Sequence, residues 1–510
     1  MDDESGIGAA PPAARRGKRS AAGLVAVIAG LGLGACAGIA PTPVPVSALP
    51  IPAAWSAPAS NSGNPAAGAS TAAPAGTPTA TPLALWWRRF NDPLLVELVD
   101  DALRANTSVR TAVAALAQSR ALAEIQSAAL LPALSASASV QRSRASGEYY
   151  NSFDAGFDAS WEPDIFGGQR AALAAADATS RASVASLGDV QVSVAAEVAL
   201  DYMLLRGLQA RLDIAIANLA SQEETLQIVE WRTQAGLSTA LEVEQARTAT
   251  EQTRAQIPLL QTSAAQAEHS LAVLTWRAPA ALHQRLRTTV ALPAPADDLV
   301  LAFPLDTLRQ RPDVRAAEAR LSAAAAQVTQ ADAARFPGFQ LSGSLGLSAL
   351  SAGALTNRAS LVNSLLAGVT GSLFDGGAAR AQLRAQQAAL EQAAAAYDAA
   401  LLTALKDVED GLVALRNDRL RLQSLQRAAQ SARSAALLAS QRYGSGLIDF
   451  EVVLETQRTA LTAQDSLASA AADLNTDHVR LYKALGGGWE ATALDGGALP
   501  RGKATGAASL

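Results

Sequence analysis

The sequence has almost no cysteine. Cys36 is the only one in 510 residues, which rules out an internal disulfide and any cysteine-based metal site. Histidine is nearly as scarce, and His269, His283 and His478 are too scattered to give a ligand spacing. Aromatics make up only 4 % of the chain, so its apolar character rests on alanine and aliphatic side chains. The formal charge of −5 is too mild to support nucleic-acid binding. No stretch after residue 36 holds the roughly twenty apolar residues of a membrane helix. No nucleophile–base pair, metal cluster or phosphate loop is visible. The glycines Gly486 to Gly488 follow a helical stretch rather than open one. The chain does not read as an enzyme and calls for no cofactor beyond a covalent lipid on Cys36, argued below.

What is present is alternation. From Phe153, the residues Phe153, Ala155, Phe157, Ala159 and Trp161 alternate with Asp154, Gly156, Asp158 and Ser160. Successive strand side chains point to opposite faces, so this predicts a strand with one apolar and one polar wall. Leu134 to Gln141 alternates in the same way, and the polar stretch Arg142 to Asn151 between the two suits a loop. The design returns at Phe339 to Ser348 and at Ser364 to Leu373. Each run is about ten residues, the length a tilted strand needs to cross a bilayer. Taken alone, the alternation equally fits two half-buried hairpins in a water-soluble α+β domain.

The rest reads as long helix. Residues 1–35 resemble a targeting segment, with Arg15, Arg16, Lys18 and Arg19 before a short apolar run. Leu33-Gly34-Ala35-Cys36 resembles a lipoprotein box, which implies cleavage before Cys36 and acylation there. Ala37 at the next position favours the outer membrane. An uncleaved apolar anchor with an incidental Cys36 is the other reading. Residues 36–82 are rich in Pro, Ala, Ser, Thr and Gly and read as a tether. Helical spacing begins near Pro93 and Pro132 ends it. A very long helix follows from about Gln169 to Ala235, with Val184, Leu187, Val194, Val198, Leu205, Leu208, Leu212, Leu219, Leu226 and Val229 in one heptad register. Sustained patterning of this kind means coiled-coil packing, and at 1.5 Å per residue the helix reaches roughly 100 Å. Gly236 breaks it. A return helix runs to Thr275 with an expected kink at Pro258, and residues 276–304 form an irregular connector. The order then repeats: helix 305–335, two strands, a long helix 378–442, a break at Gly444 and Gly446, and a return helix 447–485. The tail from 486 to 510 is rich in Gly and Ala.

The chain is thus one unit written twice. At an offset of 205, Leu103 meets Leu308 and Pro132 meets Pro337; at 210, Arg232 meets Arg442, Gly236 meets Gly446 and Leu237 meets Leu447. The two repeats span 83–275 and 305–485. Four strands cannot close a barrel, and open strand edges are not tolerated in lipid. Membrane barrels need at least eight strands, so strands that cross a bilayer require several chains to share one barrel.

At this point the chain resembles the TolC-like outer-membrane efflux factors, in the lipoprotein branch called NodT. The matching motifs are Trp86 to Pro93, Trp161 to Gly167, Arg311 to Leu321, Phe374 to Gly377 and Leu481 to Trp489. The resemblance implies a mainly α protein with a transmembrane β part. A homotrimer would build a twelve-stranded β-barrel continuous with a periplasmic α-helical barrel. It implies an exit duct of a tripartite pump, with a periplasmic adaptor and an inner-membrane transporter as partners. Arg232, Gly236 and Leu237 and their counterparts Arg442, Gly446 and Leu447 would be the adaptor-contacting tips. Glu242 and Glu455 would line the pore constriction, where carboxylate rings favour cations. Tyr443 would hold the iris closed, and Ile448 stands where some relatives have an iris arginine. Ordinary solvated charge near a helix N-terminus is the other reading of both glutamates. A type I secretion duct and a pore-less coiled-coil envelope lipoprotein are the alternative functions.

Overall fold

The computed structural model describes residues 39–47, 49, 52, 55, 83–288, 290–293 and 308–490. Cys36, the expected leader, most of the tether, much of the connector and residues 491–510 lie outside the described residues. The chain runs α1 (Pro93–Ala105), α2 (Thr107–Ala128), β1 (Ala133–Ala145), β2 (Glu148–Trp161), α3 (Gly168–Gln234) and α4 (Ala240–Leu274). It then continues with α5 (Pro312–Ala333), β3 (Gly338–Ala349), β4 (Leu361–Thr370), α6 (Ala378–Gly444) and α7 (Phe450–Ala484). The long helices α3 and α6 have 67 residues each, and the return helices α4 and α7 have 35 each. The backbone separates into two compact units, one holding the sheet with residues 123–176 and 323–390, the other holding most of the helix.

In the first unit the four strands form one antiparallel sheet in the order β1-β2-β3-β4. The registers pair Val140 with Phe153, Phe157 with Leu345, and Gly343 with Leu365. One face therefore collects Leu134, Val140, Phe153, Phe157, Trp161, Leu341, Leu345, Leu365 and Val369. The other collects Ser135, Ser137, Ser139, Asp154, Asp158, Ser342, Ser344 and Ser364. Among the described residues nothing covers the centre of the apolar wall: Leu134, Val140, Phe157 and Leu365 are exposed.

The expected loop Arg142 to Asn151 is ladder instead. β1 and β2 pair up to Ala145 and Glu148, and only Ser146 and Gly147 turn, with φ of 53° and 89°. Positive φ at both central residues is the type I′ hairpin that matches strand twist. The polar run marks the end of the apolar band, not the end of the strand. β4 likewise begins earlier than the alternation indicates, at Leu361, and ends at Thr370.

Both strand-to-long-helix junctions are capped by an aspartate. The Asp164 carboxylate accepts hydrogen bonds from the backbone N–H groups of Gln169 and Arg170 at 3.1 and 2.9 Å. That of Asp375 accepts from Gly377 and Ala379 at 2.8 and 2.9 Å. Carboxylates satisfy orphan N–H groups and suit the positive helix end.

The second unit is held by a core in which residues far apart in sequence meet. Trp86 stacks on Tyr482 with ring centroids 5.2 Å apart, and Phe90 meets the same ring edge-on at 6.3 Å. Around them Leu95, Leu98, Val99, Tyr202, Met203 and Leu205 are fully buried. A Cβ at Gly487 would stand 2.9 Å from Trp86 Cδ1, so the backbone passes the indole closer than any side chain permits. Along α3, Leu187, Val194, Val198, Leu205, Leu208 and Val229 are buried. One stretch of α3 is long and apolar enough to cross a bilayer, against the expectation of none, yet half of it is buried within the chain. α4 runs through Pro258 as one helix.

A cleft of about 440 Å³ in this unit is lined by Asp189, Arg311, Asp313, Asp407, Asp410, Asp477, Arg480 and Lys483. Asp477 is only 4 % exposed. Its Oδ1 takes Arg480 at 3.3 Å, while its Oδ2 accepts no hydrogen bond from a donor. Burial, and then the facing Asp418 carboxyl on α6, push it up to about 6. The native chain therefore keeps a proton between about pH 4 and pH 6 that the unfolded chain releases, so stability falls as pH rises through that window. Asp477→Asn, which cannot ionise, is expected to gain about 1–2 kcal/mol near pH 8 and nothing near pH 4, after discounting for Arg480 and solvent. Thermal melts followed by helical circular dichroism at the two pH values check this.

Candidate functional site

Each long helix ends on the same turn. Leu237 N–H donates to Arg232 O at 2.8 Å and Gly236 N–H to Thr233 O at 3.0 Å. Leu447 N–H donates to Arg442 O and Gly446 N–H to Tyr443 O, both at 2.9 Å. These paired bonds are the Schellman cap, which needs a left-handed residue after the helix. Gly236 and Gly446 supply it, both at φ 73°, where a side chain would be strained. The apolar residues after them, Leu237 and Leu447, are 69 % and 72 % exposed.

The two turns, 210 residues apart in sequence, lie side by side. Arg232 donates from Nη1 to Tyr443 O at 3.0 Å, and its guanidinium stands 4.5 Å from the Tyr443 ring centroid. The Tyr443 hydroxyl lies 3.2 Å from Ser238 Oγ and donates to Glu242 Oε2 at 3.5 Å. Its ring packs on Phe450 at 5.5 Å. Val229, Ala246, Ala439 and Val453 close the cluster, with Ile448 packed against it. Thr239 caps α4 by accepting from Glu242 N–H at 3.3 Å, which fixes the first turn that carries Glu242.

Of the residues singled out in the sequence, Arg232, Tyr443 and Glu242 thus come together. Arg442 is exposed beside them. Glu455 is not in the cluster: its side chain is 67 % exposed and its nearest cation is Arg458 at 3.8 Å, one helical turn on. Ser238 and Phe450 were missed. Their signal was faint, since Ser238 reads as an ordinary turn residue and Phe450 as the first apolar position of a helix. Among the described residues there is no group of three or more histidine, cysteine or carboxylate side chains placed to hold a metal ion.

Comparison with known proteins agrees with this architecture. A family model described as outer membrane efflux protein matches residues 98–275 and 304–487. The pyoverdine export outer membrane protein OpmQ of Pseudomonas aeruginosa is 35 % identical over 429 residues, covering 82 % of this chain and 90 % of that protein. The toluene efflux pump outer membrane protein TtgF of Pseudomonas putida is 31 % identical over 413 residues, covering 79 % and 85 %. Among solved structures, the outer-membrane channel OprN superposes with a TM-score of 0.77 at 36 % identity, covering 80 % of this chain and 93 % of that one. VceC of Vibrio cholerae gives 0.75 at 26 % identity, with 80 % and 99 % covered. The fold is that of the TolC-like channels, and the chain is an efflux channel of the bacterial outer membrane. Sequence and fold together place this chain in the outer membrane efflux protein family.

Proposed function

We propose that three copies of this chain pool their sheets into one twelve-stranded barrel and their helices into a periplasmic tube. The assembly is a passive exit duct for small molecules, driven by an inner-membrane transporter through a periplasmic adaptor. The observation that carries this is the sheet: one wall apolar and exposed, the other rich in serine and aspartate, with β1 and β4 as open edges within one chain. An apolar outer wall around a polar lumen is what a membrane barrel requires, and edges this long must be paired. Exposed apolar side chains on the long helices, among them Leu204, Ile216 and Trp231 on α3 and Leu402, Leu420 and Leu437 on α6, suit helix packing between copies. Acylation of Cys36 anchors the assembly, since several acyl chains bind firmly where one binds marginally.

The turn cluster is the closed end of this duct. Tyr443 ties the second turn to the first through Arg232, Ser238 and Glu242, and the exposed Leu237 and Leu447 face the adaptor. Glu242 and Glu455 supply the negative ring at the constriction. The relatives named for pyoverdine and for toluene share the architecture, so choice of cargo lies with the transporter rather than with a lumen of serines.

The purified protein is expected to have three times the mass of one chain and to conduct ions across a planar bilayer with a preference for cations. The double variant Glu242→Ala/Glu455→Ala should lose most of that preference, since the two acids would otherwise form a ring of six carboxylates. A single-copy protein that does not conduct would refute the duct, and unchanged selectivity in the double variant would make the two acids bystanders.

A further inference from the structure

The charges of the sheet are sorted by face. Its three acids, Glu148, Asp154 and Asp158, share the face of Ser135, Ser137 and Ser139. Its two strand arginines, Arg142 and Arg144, share the opposite face with Leu134 and Val140. No carboxylate stands on that apolar face in any of the four strands. An arginine that merely kept the hairpin soluble would have no reason to avoid the polar wall.

Their height on the wall is also defined. From Trp161 to Phe153 the outward face is apolar, eight residue steps or about 26 Å along the strand, close to 20 Å once tilted. Arg142 follows Val140 directly, in the pair with Asn151, and Arg144 follows in the pair with Tyr149. Both stand at the hairpin end of the sheet, opposite the junctions to the helices. The Tyr149 ring, 59 % exposed, holds them together: Arg142 is 4.7 Å and Arg144 5.2 Å from its centroid. Arg144 is further fixed by donating from Nε to Gly147 O at 3.3 Å. Arg142 and Arg144 are both exposed and stand next to the end of the apolar band; on the duct reading this is the membrane rim, where a lower dielectric strengthens an ion contact.

We infer that Arg142, Tyr149 and Arg144 form a docking site for the phosphorylated headgroup of an acylated glycolipid in the outer leaflet. Guanidinium is the side chain suited to forked contact with phosphate oxygens. An acyl chain below such a headgroup lies along Val140 and Phe153, whereas a free phosphate finds no such wall. The site rests on the duct reading, which sets the apolar face in lipid and the hairpin end outward, and it recurs three times around the barrel.

The test uses the full lipidated assembly, stripped of native lipid and placed in phosphatidylcholine nanodiscs. The probes are bisphosphorylated lipid A, the same lipid A with its phosphates removed, and inorganic phosphate. Native mass spectrometry is expected to show lipid A retained on the wild type. Retention should fall about tenfold or more in Arg142→Gln/Arg144→Gln, as the loss of charge-assisted contacts implies, and by less in Arg142→Lys/Arg144→Lys. Dephosphorylated lipid A and inorganic phosphate should each be retained no better by the wild type than by the Gln variant. Equal retention of lipid A by wild type and Gln variant overturns the proposal. So does equal binding of the dephosphorylated form, and so does capture of inorganic phosphate alone, which would make the pair a soluble-anion site. Bilayer conductance on the same samples separates the two readings: a conducting protein without this lipid preference loses only the docking site, and a non-conducting one loses the duct.

Discussion

Arg311→Met is expected to cost about 3 kcal/mol of stability, the usual size when one partner of a buried ion network is removed. The guanidinium forks onto Asp313 at 3.0 and 2.7 Å, reaches Asp407 on α6 at 3.2 Å and donates to Ala484 O at the end of α7 at 2.9 Å. Three helices are joined by one side chain that is 7 % exposed. Burial pushes the Asp313 carboxyl up, and Arg311 more than offsets this and holds it below the ordinary range. Without Arg311, two carboxylates remain in a cleft that already holds Asp189, Asp410 and Asp477. Arg311→Lys should recover only part of the loss, because a compact ammonium keeps the charge but lacks the planar fork that grips both Asp313 oxygens while reaching Asp407 and Ala484 O. Thermal unfolding of the detergent-purified protein measures both. A Met variant within about 0.5 kcal/mol of wild type would mean that solvent already carries those charges.

The second large effect is expected at Asp92. Its Oδ1 accepts from Leu94 N–H at 2.9 Å and from Leu95 N–H at 3.2 Å, capping α1, while Oδ2 accepts from the Tyr202 hydroxyl at 2.5 Å. Tyr202 is fully buried, and burial, followed by this hydrogen bond, raises its ionisation well above the usual tyrosine range. Asp92→Ala removes a cap, about 1 kcal/mol, and leaves a buried hydroxyl unpaired, about 1–3 kcal/mol. Tyr202→Phe separates the two losses: it keeps the cap, leaves one oxygen of the buried Asp92 without this donor, and should cost about 1 kcal/mol. If Asp92→Ala and Tyr202→Phe lose equal amounts, the cap contributes nothing and α1 is held by packing alone.

Much of this fold is legible in the sequence. The alternation at Phe153 to Trp161 is legible because a wall that meets lipid on one side and water on the other admits no irregularity. The long helices are legible because Leu187, Val198, Leu205 and Val229 must keep one register over 67 residues. The hairpin end was misread because type I′ turns are signalled best by Asn-Gly, and here Ser146 takes the first position at φ 53°. For the turn cluster, Gly236 and Gly446 were legible as breaks, since little else tolerates their backbone. The contact between Arg232 and Tyr443 was not, because nothing along the chain links two residues 211 apart. The same holds for Arg311: its neighbours Pro312 and Asp313 are visible in sequence, while Asp407 and Ala484 become its partners only through packing.

The contact of Arg232 with both the ring and the carbonyl of Tyr443 has a mechanical consequence. Two turns bolted together within one chain cannot swing separately. On the proposed duct reading, dilation at this end would carry the two turns as a single lever, or else spend the energy of a cation–ring contact and a hydrogen bond in every copy. On that reading the bending falls to the paired helices rather than to the glycines that end them.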